Sequence, residues 1–149
     1  MSHSFVSMAL HCVFSTKLRR PDLTTEIRQR LYPYIVSTAH QQRMQVLALG
    51  GVEDHLHALI SLPATMSVAK AIQWLKGPSS RWVHETFPEF QRFAWQHGYS
   101  AFSIGVSQRE RTIDYIRNQA QHHQNKTFEQ ELRAFYARHG FRWDASVLE

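Results

Sequence analysis

The chain has 149 residues, a formal charge of +5 and a pI near 9.7, with 43% hydrophobic and 19% charged residues. It is long enough to bury a core and too apolar to be disordered, and it is read as one domain over residues 1–149, with a core from about 5 to 124 and a helical tail from about 125 to 149. A lone cysteine, Cys12, excludes an internal disulfide, no window holds the roughly 18 consecutive apolar residues of a membrane span, and Met1-Ser2-His3-Ser4 lacks a signal-peptide layout; a cytoplasmic protein is expected.

Residues 5–14 alternate, with Val6, Met8, Leu10, Cys12 and Phe14 on one side and Ser7, Ala9, His11 and Val13 on the other, which predicts a central strand. A basic loop with Lys17, Arg19 and Arg20 follows, and Asp22 is placed to cap a helix carrying Leu23, Ile27, Leu31 and Ile35. Pro33 falls inside that helix and predicts a kink or break near Gln29. Met44 to Leu49 and Asp54 to Leu62 read as strands joined by Gly50-Gly51-Val52-Glu53. Ser67 then caps a helix with Val68, Ala71, Ile72 and Leu75 on its buried stripe, and Gly77-Pro78 is expected to interrupt it.

Tyr99 to Ile104 reads as a fourth strand ended by Gly105. Ser107 and Glu110 have the spacing of a capping box opening a further helix, and a last helix runs from about Phe128 to His139 and stops at Gly140. The order β-α-β-β-α-β predicts an α+β, ferredoxin-like antiparallel sheet with helices on one face, plus C-terminal helices that carry Tyr115.

His55-Leu56-His57 carries the sharpest chemistry. On a strand the two imidazoles point to one side while Leu56, Ala58 and Ile60 face a core. That pair is either two nitrogen ligands for one metal ion or two hydrogen-bonded structural histidines. About sixty residues downstream, Ile113, Ile116 and Ala120 share the apolar face of a helix, and Tyr115 and Gln119 stand one above the other on a more polar face. A phenol beside a metal-bound phosphate is a nucleophile, and an amide one turn later can add an oxygen ligand. Alternatively, the helix simply packs its tyrosine at the edge of the core. Nitrogen and oxygen donors without thiolate suit Mg²⁺ or Mn²⁺ in the presence of phosphate, and imidazole also accepts Zn²⁺ or Ni²⁺.

The His-hydrophobic-His strand, Lys76-Gly77-Pro78-Ser79-Ser80-Arg81, Trp95 to Phe102 and the Tyr115-Ile116-Arg117-Asn118-Gln119 stretch occur in an order and spacing that resemble the single-tyrosine HUH transposases. The likeness is closest to the compact REP-associated tyrosine transposases, whose tails Lys126-Thr127-Phe128 and Phe141-Arg142-Trp143-Asp144 also resemble. The resemblance implies a metal-dependent single-stranded DNA endonuclease and strand-transferase acting on hairpin or palindromic DNA. Tyr115 would become linked to the 5′-phosphate, with His55, His57 and Gln119 as ligands of Mg²⁺ or Mn²⁺. Asp54, next to the histidines, either orients one of them or is a strand-end carboxylate. The resemblance also implies a homodimer in which the tyrosine helix of one copy completes the site of the other.

Candidate DNA contacts are Lys17, Arg19, Arg20, Lys76, Arg81, Arg109, Arg111 and Arg117, and Trp95, Tyr99 and Phe102 are candidates for base stacking, with Trp95 and Phe102 better explained as core. Two other functions stay open: a domesticated DNA-binding protein without turnover, and a phosphohydrolase built on His-x-His.

Overall fold

The computed structural model describes residues 3–148. Four strands, β1 (Ala9–Ser15), β2 (Gln45–Val52), β3 (His55–Ser61) and β4 (Ser100–Ile104), form an antiparallel sheet in the order β2-β3-β1-β4. This is the ferredoxin-like arrangement expected from the element order. Helices α1 (Thr25–Gln41) and α2 (Val68–Thr86) cover one face. The other face is covered as well, by α3 (Arg109–Arg117), α4 (Gln119–His122) and α5 (Phe128–Arg138).

Period-two alternation on β1 and β3 explains why two cores form. Cys12, Phe14, Leu56, Ala58 and Ile60 join Leu31, Ile35, Ile72 and Leu75 beneath α1 and α2. Ala9 and Leu59 meet Ile116 of α3, while Val13 meets Phe128, Leu132 and Phe135 of α5. His11, His55 and His57 belong to this second face, so burying it puts imidazoles inside the protein.

Several local expectations change. β1 begins at Ala9, because Val6 and Met8 have no core to enter and stay exposed. Thr24, not Asp22, caps α1 by accepting from the Ile27 amide. Pro33 and Pro78 lie inside unbroken helices. A proline inside a helix costs about 3 kcal/mol locally, but the stripes Leu31, Ile35 and Ala39 on α1 and Leu75, Pro78, Ser79 and Val83 on α2 are buried, and burying each large apolar side chain returns roughly 1.5–3 kcal/mol. Ser79 donates its hydroxyl to the Leu75 carbonyl and accepts from Trp95 Nε1 at 2.9 Å, tying α2 to the aromatic segment.

The Ser107–Glu110 capping box does not form. Val106–Gln108 makes a 3-10 turn, and α3 starts at Arg109 without a side-chain cap. Ala120 is exposed beyond the end of α3, so the buried face of that helix rests on Ile116.

Gly50 lets α3 lie directly on the sheet. A Cβ at this position would sit 1.8 Å from the Ile116 carbonyl oxygen, and Gly50 pairs with His57 across β2 and β3. Gly50→Ala is therefore expected to push α3 off the sheet and destabilise the chain by about 1–3 kcal/mol, as overpacking does. Hydrogen exchange should accelerate in α3 before it does in β3. Unchanged melting and unchanged α3 protection would show that the helix is not seated this way.

Candidate metal and nucleophile site

On β3, His55 and His57 are fully buried and have both ring nitrogens engaged. His55 Nδ1 lies 2.8 Å from Asp54 Oδ1, and His57 Nδ1 lies 2.7 Å from Nε2 of His11, its diagonal neighbour on β1. Their Nε2 atoms converge on one oxygen from α5: Glu131 Oε1 stands 2.9 Å from His57 and 3.4 Å from His55. His123, just past α4, places Nε2 3.3 Å from the same oxygen. Gln119 Oε1 lies 3.2 Å from His55 Nε2 and 3.1 Å from His123 Nε2. The Tyr115 hydroxyl donates to the other carboxylate oxygen, Glu131 Oε2.

The charges follow from this packing. Burial pushes the Glu131 carboxyl up, but hydrogen bonds from His123, His55 and His57 outweigh it and hold the group ionised far below the usual carboxylate range. Burial depresses His57 to about 4 against the pull of Glu131, and depresses His11 to about 3 with help from His57. For His55 burial also disfavours the cation, but Asp54 and Glu131 win and raise its pKa. Burial likewise opposes ionisation of Asp54, which His55 and Arg19 nonetheless hold below its ordinary value. Burial and then the Glu131 charge push the Tyr115 phenol well above its usual range.

This donor set fits a metal ion. The ligand atoms of His55, His57 and Glu131 all lie within 4.8 Å of one another. Separations of 2.9 and 3.4 Å match the edges of a coordination shell with bonds of about 2.0–2.2 Å. The outward nitrogens are anchored by a carboxylate and a second imidazole, the kind of partner that orients ligating histidines. Gln119 Oε1 is a further oxygen donor at the same point.

Of the residues singled out in the sequence, the fold brings His55, His57, Asp54, Tyr115 and Gln119 together. The Tyr115–Gln119 segment is not one helix: α3 ends at Arg117, Asn118 leaves helical geometry, and Gln119 opens α4. Arg19 joins the site's edge through a 3.2 Å ion pair with Asp54, from a loop where Leu18 and Arg19 adopt φ of 57° and 54°. Arg111 lines a cavity of about 580 Å³ beside Tyr115, together with Arg138 and Lys126. A second cleft of about 550 Å³ on the Asp54 side is lined by Arg19, Arg28 and, again, Lys126.

The other candidate cations are elsewhere. Lys76 is pinned to the carbonyls of Gln96 and Gly98, with burial lowering its pKa to about 8, so it braces a loop. Arg20 bonds the Arg92 carbonyl, Lys17 is exposed, and Arg109 reaches Ser7. Arg117 lines a groove between α1 and β2, and Arg81 is exposed on α2, which covers the opposite face of the sheet. Trp95 and Phe102 are core residues, whereas Tyr99 is open to solvent.

Sequence reasoning missed Glu131, His123 and His11. A signal for Glu131 was present: it lies on the stripe Phe128, Leu132, Phe135, where a carboxylate has to find a partner in the interior.

A buried His-His-Glu cluster beside a tyrosine, on a ferredoxin-like sheet, defines a candidate metal site with a phenol at its side. The family model described as "Transposase IS200 like" matches residues 4–119, and the chain belongs to this family of transposases. It is 27% identical over 124 residues to the transposase for insertion sequence element IS200 of Salmonella typhimurium, covering 80% of this chain and 81% of that one. With the ISDra2 transposase TnpA of Deinococcus radiodurans the identity is 23% over 114 residues, covering 73% and 81%. Among solved structures, a transposase from Deinococcus radiodurans superposes with a TM-score of 0.66 at 23% identity, covering 80% of this chain and 96% of that one. A REP-associated tyrosine transposase bound to a REP hairpin superposes with a TM-score of 0.56 at 16% identity, covering 78% and 68%. Among the described residues no helix is long and apolar enough to cross a membrane.

The buried histidines make a pH prediction. His57 and His11 stay neutral in the fold down to about 4 and 3, while in the unfolded chain they protonate near 6.5. The unfolded state therefore binds more protons below 6.5, so their contribution is present above that pH and is lost as pH falls. The raised His55 contributes fully below 6.5, and the carboxylate contributions of Asp54 and Glu131 fade only below about 4. In metal-free buffer the unfolding free energy is expected to fall between pH 6.5 and 5 by up to about 1.4 kcal/mol per pH unit per histidine, lowering the urea midpoint with it. A midpoint that holds or rises over that range contradicts the assignment of both rings as neutral.

Proposed function

We propose that this chain cuts and rejoins single-stranded DNA by transesterification, with Tyr115 as nucleophile and a divalent ion, Mg²⁺ or Mn²⁺, held by His55, His57 and Glu131 with Gln119 as a further donor. The observation that carries this reading is that one carboxylate, Glu131, meets both imidazole Nε2 atoms with one oxygen and the Tyr115 hydroxyl with the other. Bound there, the metal supplies polarisation of the scissile phosphate and stabilisation of charge on the leaving oxygen.

The side chains do the rest. The resting phenol is protonated, so its attack needs an acceptor for the proton, and Glu131 Oε2 is already hydrogen-bonded to it. As Tyr115 Oη bonds to phosphorus, its proton passes by way of Glu131 Oε2 to water in the cleft, which returns a proton to the 3′ oxygen as the P–O3′ bond breaks. The released 3′ oxygen leaves as a hydroxyl. In reverse, a 3′-hydroxyl attacks the phosphotyrosine and Tyr115 recovers its proton, so no external energy is consumed. Asp54 and His11 hold the two imidazoles by their Nδ1 atoms, which fixes Nε2 toward the ion. The clefts on either side, with Arg19 and Arg28 on one and Arg111 and Arg138 on the other, give the cut strand two cationic paths.

Hairpin or palindromic DNA is the proposed substrate, in keeping with the hairpin bound by the REP-associated relative. The resemblance implies an exchange of tyrosine helices between copies; the contacts within this single chain instead support a site built by each copy on its own. Here α3 rests on its own β2 and β3, and Tyr115 faces its own histidines. In a homodimer each copy then carries a whole site. A phosphohydrolase reading gives Tyr115 no task and leaves its bond to Glu131 unexplained.

Single-stranded hairpin oligonucleotides with Mg²⁺ or Mn²⁺ are expected to give a protein–DNA adduct stable on a denaturing gel. Tyr115→Phe should bind the hairpin and form no adduct, and Glu131→Gln should slow adduct formation by about 100-fold or more. Mixtures of Tyr115→Phe with His57→Ala should stay inactive. Undiminished adduct from Tyr115→Phe overturns the nucleophile, cleavage without adduct favours the hydrolase, and restored activity in the mixture restores the exchanged arrangement.

A further inference from the structure

The aromatic segment after α5 takes no part in the chemistry above, yet with β4 it lines a further, smaller cavity. This cavity, of about 240 Å³, is lined by Tyr99, Ser100, Phe102, Tyr136, Phe141 and Arg142. Phe102 forms a buried floor, stacked on His139 with ring centroids 4.6 Å apart and planes 24° from parallel. Phe141 stands 6.3 Å from Phe102 and 5.7 Å from Tyr136, but remains 57% exposed, and Tyr99 is 36% exposed. Ordinary core aromatics are covered; these two present ring surface to solvent around a hollow. Ser100 Oγ and the Tyr136 hydroxyl, 3.0 Å apart, add two polar groups to the lining, and Arg142 adds a cation.

Size and position narrow the occupant. The hollow is smaller than the roughly 300–1,000 Å³ of clefts that bury drug-sized molecules, so it takes one flat ring system and not a folded peptide. It also stands back to back with the Tyr115 cleft, because His139, on which Phe102 stacks, lines that cleft with Arg111 and Arg138. A ligand that carries flat rings and negative charge at regular spacing matches both the aromatic hollow and the cationic cleft. We propose that this cavity takes one unpaired nucleobase of the DNA strand lying in the Tyr115 cleft, stacked on Phe141 and Tyr99, with Arg142 against a neighbouring phosphate. The assignment rests on the DNA-cleaving reading, but binding alone tests it.

The probes are a 20-nucleotide oligodeoxyadenylate and an abasic deoxyribose-phosphate strand of the same length, titrated in EDTA with the full chain by fluorescence anisotropy. The adenine strand should bind more tightly. Phe141→Ala and Tyr99→Ala should each weaken adenine-strand binding about fivefold or more and leave abasic binding unchanged, since stacking needs the base. Phe141→Trp, which keeps a larger ring, should retain wild-type affinity even if the alanine variant melts early. Arg142→Gln should weaken both strands and lower the salt slope by about one. Equal losses on both strands, no loss on either, or a Phe141→Trp variant as weak as alanine would remove the base site. A normal stacking signature in a protein that forms no adduct would instead defeat the cleavage reading alone.

Discussion

One buried carboxylate organises the functional half of this molecule. Glu131 enters from α5 and joins strand β3, the segment after α4, and Tyr115 of α3 through its two oxygens. An isolated carboxylate in such an interior would be protonated; surrounded by imidazoles and a phenol it stays ionised, and its charge helps push Tyr115 up while pulling against the burial that depresses His57. The same constraint dictates the covering of the sheet. If α5 were absent, the imidazole face of β1 and β3 would lie open, and the phenol of Tyr115 would have no acceptor.

Close backbone approach is the second requirement. The tyrosine helix can face the histidines only because Gly50 leaves room for the Ile116 carbonyl on β2. Gly51 is also tight, since a Cβ there would stand 2.3 Å from the His55 carbonyl oxygen, so the turn into β3 and the placing of its first histidine are one event. Stability and chemistry thus draw on the same residues. Ile116 is both a fully buried core side chain and the residue next to Tyr115, the proposed nucleophile.

Much of this was legible in the sequence, for reasons that differ by residue. Period-two alternation exposed β1 and β3, and with them the shared face of His55 and His57; the element order exposed the sheet topology. Helix ends were read less well, because Pro33 and Pro78 look like breakers until the burial of their neighbours is counted. The tyrosine and glutamine were found, but the break at Asn118 was not, since nothing in residues 115–119 marks it. Glu131, His123 and His11 escaped because long-range convergence has no local spacing: Glu131 lies 74 positions from His57 and His11 lies 46. Among the basic residues sequence alone could not separate Arg111, which reaches the Tyr115 cleft, from Lys76, which is spent on backbone carbonyls.

His55, His57 and Glu131 are proposed to hold one metal ion facing Tyr115. Anomalous diffraction from crystals of the full chain soaked in Mn²⁺ tests it most directly. A single strong peak is expected within about 2.3 Å of His55 Nε2, His57 Nε2 and a Glu131 carboxylate oxygen. A peak held by other residues, or none at a manganese concentration that supports cleavage, would contradict it.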